Sequence, residues 1–204
     1  MRYAVKAGFS AVFSSLLLSS YAQAAAVPYF PESEYRQDAA TAETLLGHAF
    51  GQRISDAAAI EQFFRKLAAE YPEQVKLRPY GNSWQGRPLF YVTLSSAENI
   101  ARLEHSEAGM RQLADPRKTT SGQAEKLLSE LPASVWIAAS LHGNEISPAD
   151  ATMALAYHLL TDNSALTRQI LGNTLVYIDP LQNPDGHSRF VSRYYATVGL
   201  EHSA

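Results

Sequence analysis

The sequence predicts an α/β fold, a mixed β-sheet flanked by helices, and three patterns carry that expectation. Ile60, Phe63, Phe64, Leu67 and Tyr71 follow the i, i+3, i+4, i+7, i+11 spacing of one helix face. Val75–Tyr80 and Leu89–Ser95 flank a connector with two glycines and a proline, which suits a β-hairpin with a wide turn. Ser134–Ser140 and Thr174–Ile178 are short apolar runs on either side of helical text, and such strand–helix–strand units join parallel strands by a right-handed crossover.

Before the first helix the chain reads differently. Arg2 and Lys6 precede an apolar stretch from Ala7 to Leu18, and Ala22-Gln23-Ala24 gives the small-x-small pattern of a cleavage site. Residues 1–24 are thus expected to be a cleaved signal peptide, placing the protein in a secreted or periplasmic location. A plain N-terminal anchor is the alternative. The stretch falls short of the ~20 residues of a membrane-spanning helix, so no stable span is expected. Residues 25–53 have no clear period and are expected to form an extended arm.

Asp56 can cap the first helix, whose apolar stripe faces the core. Residues 96–130 are more polar, with helical patches such as Ala124–Leu131. The two later strands are expected to be buried on both faces, since they read as continuous apolar runs. Between them Ser147-Pro148-Ala149-Asp150 opens a helix, with Ser expected at the N-cap, Pro at N1 and an acid at N3. A further helix from Ser164 to Leu171 is expected to close at Gly172.

Composition narrows the chemistry. The chain has 204 residues, 46% of them apolar, and a net charge of −3 with acids and bases scattered, so nothing invites nucleic acid. It has no cysteine, which excludes disulfides, thiolate nucleophiles and Cys-based metal sites.

Parallel strands send the residues that follow them to one edge of the sheet, and open α/β sheets bind ligands at that carboxyl edge. Two unusual motifs fall there. His142-Gly143-Asn144-Glu145 places a nitrogen and an oxygen donor three residues apart, and Gly143 gives the backbone freedom to bend between them. The spacing alone is weak, because an H-x-x-E arises by chance about one time in three in a chain of this composition. The competing reading is a His satisfied by a backbone carbonyl, beside a Glu favourable to the helix dipole. Asn183-Pro184-Asp185-Gly186 reads first as a turn, with Pro fixing φ, Asp capping and Gly at positive φ. Asn183 or Asp185 pointing into the cleft is the alternative.

Taken together and in order, these motifs resemble the zinc carboxypeptidase (carboxypeptidase A-like) family. The hairpin Gly81-Asn82-Ser83-Trp84-Gln85-Gly86-Arg87-Pro88-Leu89 adds to the resemblance, which runs from about Ile54 to Arg189. It is greatest to large secreted bacterial members, in which a long segment separates hairpin and metal strand. The resemblance implies that His142 and Glu145 are the first two ligands of a Zn2+ ion, one per complete domain. The third ligand, the general base and the groups that grip the substrate carboxylate follow N-P-D-G in the family. They find no match here, so no catalytic residue is expected in this chain, and residues 54–204 are expected to be the N-terminal part of such a domain, truncated. His187 and His202 lie too near N-P-D-G for the third ligand, His158 sits mid-helix, and His48 and His105 lack ligand-like context.

The implied reaction is hydrolysis of the C-terminal bond of a peptide or protein substrate. A same-fold cell-wall peptide amidase or endopeptidase, an N-acyl amino acid deacylase, and a non-catalytic secreted module remain the alternatives.

Overall fold

The computed structural model describes residue 30 and residues 33–199, so the expected signal peptide lies outside the described residues. Four strands, β1 (Val75–Asn82), β2 (Pro88–Leu94), β3 (Ala133–Ala138) and β4 (Thr174–Asp179), form one sheet in the order β1-β2-β4-β3. The hairpin pair β1/β2 and the pair β2/β4 are antiparallel, while β3 and β4 are parallel in the register Ala133↔Thr174 to Ala138↔Asp179. The sheet is mixed, as expected.

Eight helices flank it among the described residues: α1 (Ala42–Leu46), α2 (Ala57–Glu70), α3 (Ala97–Ala101), α4 (Leu103–Leu113), α5 (Ser121–Glu130), α6 (Ser147–Thr161), α7 (Ala165–Asn173) and α8 (Pro184–Thr197). None is long and apolar enough to cross a membrane. Helix α2 starts where Asp56 accepts a hydrogen bond from the Ala59 amide at 2.8 Å. Its buried stripe is Ile60, Phe63, Phe64 and Leu67, each such side chain stabilising the fold by roughly 1.5–3 kcal/mol. That stripe joins Met153 and Ala156 of α6 and Val92, Leu94, Val176 and Ile178 of the sheet in the main core. On the opposite face Leu175 and Tyr177 meet Ile100 and Leu103. Strand β4 therefore alternates between two cores and is covered on both sides.

Four expectations are corrected. The arm at 25–53 is not wholly extended, because Thr41 caps the short helix α1 and Leu45 is buried against the core. Strand β3 is an edge strand, and Ala133 to Trp136 are exposed rather than buried on both faces. Ser147 does not cap α6: Ile146 is already in the right-handed region and no side chain caps the helix, so Ser147 is its first residue. Gly172 does not end α7, which continues to Asn173.

Candidate functional site

The carboxyl ends of β3 and β4 continue to pair after the strands stop. The Ala139 amide donates to the Asp179 carbonyl at 2.9 Å, Gln182 N–H to the Ala139 carbonyl at 3.0 Å, and Asn183 N–H to the Ser140 carbonyl at 3.2 Å. Parallel register thus brings H-G-N-E and N-P-D-G side by side.

The H-G-N-E turn is held in an uncommon conformation. Ser140 has φ 53°, a left-handed value that a non-glycine residue adopts at a cost of about 1–3 kcal/mol. Its hydroxyl donates to the Glu145 carbonyl at 3.1 Å, and the Glu145 amide donates to the His142 carbonyl at 3.1 Å. The freedom expected at Gly143 is not a positive φ, since Gly143 is not among the left-handed residues. It is space instead: a Cβ at Gly143 would lie 2.1 Å from the Gly186 carbonyl carbon.

His142 and Glu145 are both exposed, and neither side chain makes a hydrogen bond or ion pair with a described residue. The structure therefore does not show His142 satisfied by a backbone carbonyl. Nitrogen and carboxylate oxygen fit the donor chemistry of zinc, which in catalytic sites takes three protein ligands. Among the described residues no group of three His, Asp or Glu gathers to hold a metal. The two donors fit zinc in chemistry and fall short of it in number.

Among the described residues the remaining histidines stand elsewhere, and His202 lies outside the described residues. His187 on α8 is fully buried, and its Nε2–H donates to the Ser55 carbonyl at 2.8 Å. His48 is buried and its Nδ1–H donates to the Ala49 carbonyl at 2.9 Å. His158 bonds to the Tyr35 hydroxyl at 3.2 Å and stacks on Phe30. Burial holds His158 below the ordinary histidine value, opposed by Asp162. His105 lies on the exposed side of α4.

N-P-D-G is the start of α8 rather than a free turn. Asn183 caps the helix, its Oδ1 accepting from the Gly186 amide at 2.9 Å, with Pro184 at N1. Gly186 is not at positive φ; a Cβ there would press on the Asn183 amide at 2.7 Å. Asp185 points to the hairpin, accepting from Ser83 Oγ at 2.7 Å, Arg87 Nη1 at 2.8 Å and the Gln85 amide at 3.0 Å. Burial tends to raise its carboxyl, but these donors from Ser83, Gln85 and Arg87 win and hold it below the usual value.

Sequence reasoning missed a buried polar group beneath this edge. Burial pushes the Asp150 carboxyl up, opposed by Ser55 and by the nearby His48 and His187. A cavity of about 630 Å3 lined by His48, Arg53, Ser55, Arg87 and Tyr195, among others, includes neither His142 nor Glu145. No local pattern announces such a group, because its members come from three separate stretches, 48–55, 150 and 187.

A profile of the zinc carboxypeptidase family matches residues 60–196, which spans the hairpin, H-G-N-E and N-P-D-G. The chain belongs to the zinc carboxypeptidase family. Among solved structures it is similar to carboxypeptidase A from Helicoverpa armigera, at 18% identity and a TM-score of 0.48, covering 77% of this chain and 32% of that one. It is also similar to thrombin activatable fibrinolysis inhibitor, at 14% identity and a TM-score of 0.47, covering 73% of this chain and 29% of that one. The bovine form of that inhibitor, solved with a tick carboxypeptidase inhibitor, matches at 15% identity and a TM-score of 0.43, over 69% of this chain and 34% of that one. This member of the zinc carboxypeptidase family thus spans about a third of the length of the structures it matches. Comparison with curated proteins gives no match.

Proposed function

We propose that this chain supplies the first part of the active site of an exported zinc metallocarboxypeptidase, which hydrolyses the C-terminal bond of peptide or protein substrates. One observation carries the reading: in a zinc carboxypeptidase family member, His142 and Glu145 stand exposed, without a side-chain partner among the described residues, in a constrained turn beside N-P-D-G. These two residues would hold the metal. When bound, zinc supplies Lewis-acid polarisation of the scissile carbonyl and of the attacking water. His142 would contribute an imidazole nitrogen and Glu145 a carboxylate oxygen, neither held by another described residue. The third ligand, the base and the carboxylate-gripping groups are proposed to lie outside this chain, so the chain alone should lack peptidase activity. Export rests on the basic start, apolar stretch and Ala22-Gln23-Ala24.

Zinc content and release of a C-terminal amino acid test this in a protein that carries the later family ligands. His142→Ala and Glu145→Ala should each abolish activity and lower zinc content, whereas His158→Ala should act mildly. A His142→Ala enzyme with wild-type zinc and full activity would falsify the assignment.

A further inference from the structure

Asn183 uses its side chain twice. Its Oδ1 accepts from the Gly186 amide at 2.9 Å, and its Nδ2 donates to the Leu141 carbonyl at 3.1 Å. The partners fix the amide's orientation, because an N–H needs the oxygen and a carbonyl needs the nitrogen. The first bond is a helix cap that Asp or Ser would make about as well. The second needs a donor at that reach, which Asp does not have.

We propose that Asn183 is a positioning residue for the H-G-N-E turn. It grips the carbonyl immediately before His142 and so sets the direction in which His142 and Glu145 are presented. This rests on the reading of those two residues as zinc ligands. Three observations support it. Ser140 is left-handed at φ 53°, and such strain persists only where the surroundings over-determine the backbone. Leu141 is 62% exposed, so its packing does not hold the turn. Among the described residues, the Asn183 amide makes the side-chain hydrogen bond that reaches residues 141–145 from another element. Groups that orient ligands in this way typically change metal affinity about 10–100-fold when altered.

Asn183→Asp separates the two bonds. It keeps the cap acceptor, loses the donor, and sets a carboxylate against the Leu141 carbonyl. Three measurements on the full chain decide the matter: thermal melting, hydrogen exchange of the Glu145 amide without metal, and calorimetric titration with zinc ions alone. Melting should stay within about 4 °C of wild type. Exchange at Glu145, whose amide donates to the His142 carbonyl, should quicken at least about 10-fold, and zinc should bind about 10–100-fold more weakly. Asn183→Ala should show the same two changes with a lower melting temperature as well. If Asn183→Asp melts much lower, Asn183→Ser carries the same expectation, being an uncharged cap whose hydroxyl ends one bond short of the amide nitrogen. Wild-type exchange at Glu145 in the capping variant overturns the proposal. If His142→Ala leaves the chain's zinc binding unchanged, the ligand reading fails, and the metal-free exchange at Glu145 still decides whether Asn183 holds the turn.

Discussion

Strands β3 and β4 lie side by side, parallel and in register over six residues each, yet they live in different solvents. β4 has neighbours on both edges and a hydrophobic cluster on each face, so Leu175 and Ile178 are fully buried. β3 has one paired edge, and Val135 and Trp136 remain 46% and 54% exposed. The same kind of residue run is core in one strand and surface in the other. What differs is the cover, which comes from elements far away in the chain.

The largest expected effect sharpens that contrast directly. Ile178→Ala removes a fully buried side chain and should destabilise by about 2–5 kcal/mol, whereas Val135→Ala on β3 should cost less than about 1 kcal/mol. Chemical denaturation of both variants checks this, and equal losses would break the comparison.

A second measurement concerns the strand ends, where Ala138 pairs with Asp179. Asp179 is buried and receives the Tyr80 hydroxyl at 2.9 Å. Burial pushes its carboxyl up, and the hydrogen bonds from Tyr80, Leu181 and Gln182 only partly oppose that. The folded chain therefore holds this proton more tightly than the unfolded one. Ionised Asp179 costs stability at neutral pH, and the cost fades as pH falls through the raised value toward the unfolded 3.8. Asp179→Asn should raise the melting temperature at pH 7, with the gain closing in acid. A gain that grew as pH fell would reverse the sign of the argument.

The smallest effect on stability, though not on behaviour, is expected at the open edge. A strand with one edge unpaired among the described residues, and bearing exposed Val135 and Trp136, invites association, and the chain should self-associate. Val135→Lys should shift it toward monomer with a stability change within about 0.5 kcal/mol. Sedimentation velocity reads this, and a wild-type chain that is already monomeric would show the edge to be harmless.

Much of this fold was legible in the sequence because its signals are local. The stripe from Ile60 to Tyr71 and the Asp56 cap depend on spacing within a dozen or so residues, and the crossover from β3 to β4 follows from the order of consecutive elements. Burial of β3 was misjudged because an apolar run records that a strand forms, not which partners arrive to cover it. The candidate site divides similarly. Parallel strands predicted that H-G-N-E and N-P-D-G share an edge, and the hydrogen bonds between their loops are observed. The grip of Asp185 on the hairpin and the buried group of Ser55, Asp150 and His187 join distant stretches, and no spacing rule reaches that far.

The contact of Gly143 with Gly186 sets a limit on how this chain can vary. At position 143 even one methyl group would have to occupy the place of a carbonyl carbon, and at 186 it would collide with Asn183. The two obstacles differ in kind: at 143 it is the backbone of the neighbouring loop, whose retreat would open the pairing of the strand ends beneath, while at 186 it is the Asn183 side chain within the same loop. Position 143 is therefore the stricter of the two. A library randomised at both should return glycine at 143, and should admit a small side chain at 186 only where Asn183 shifts from its cap.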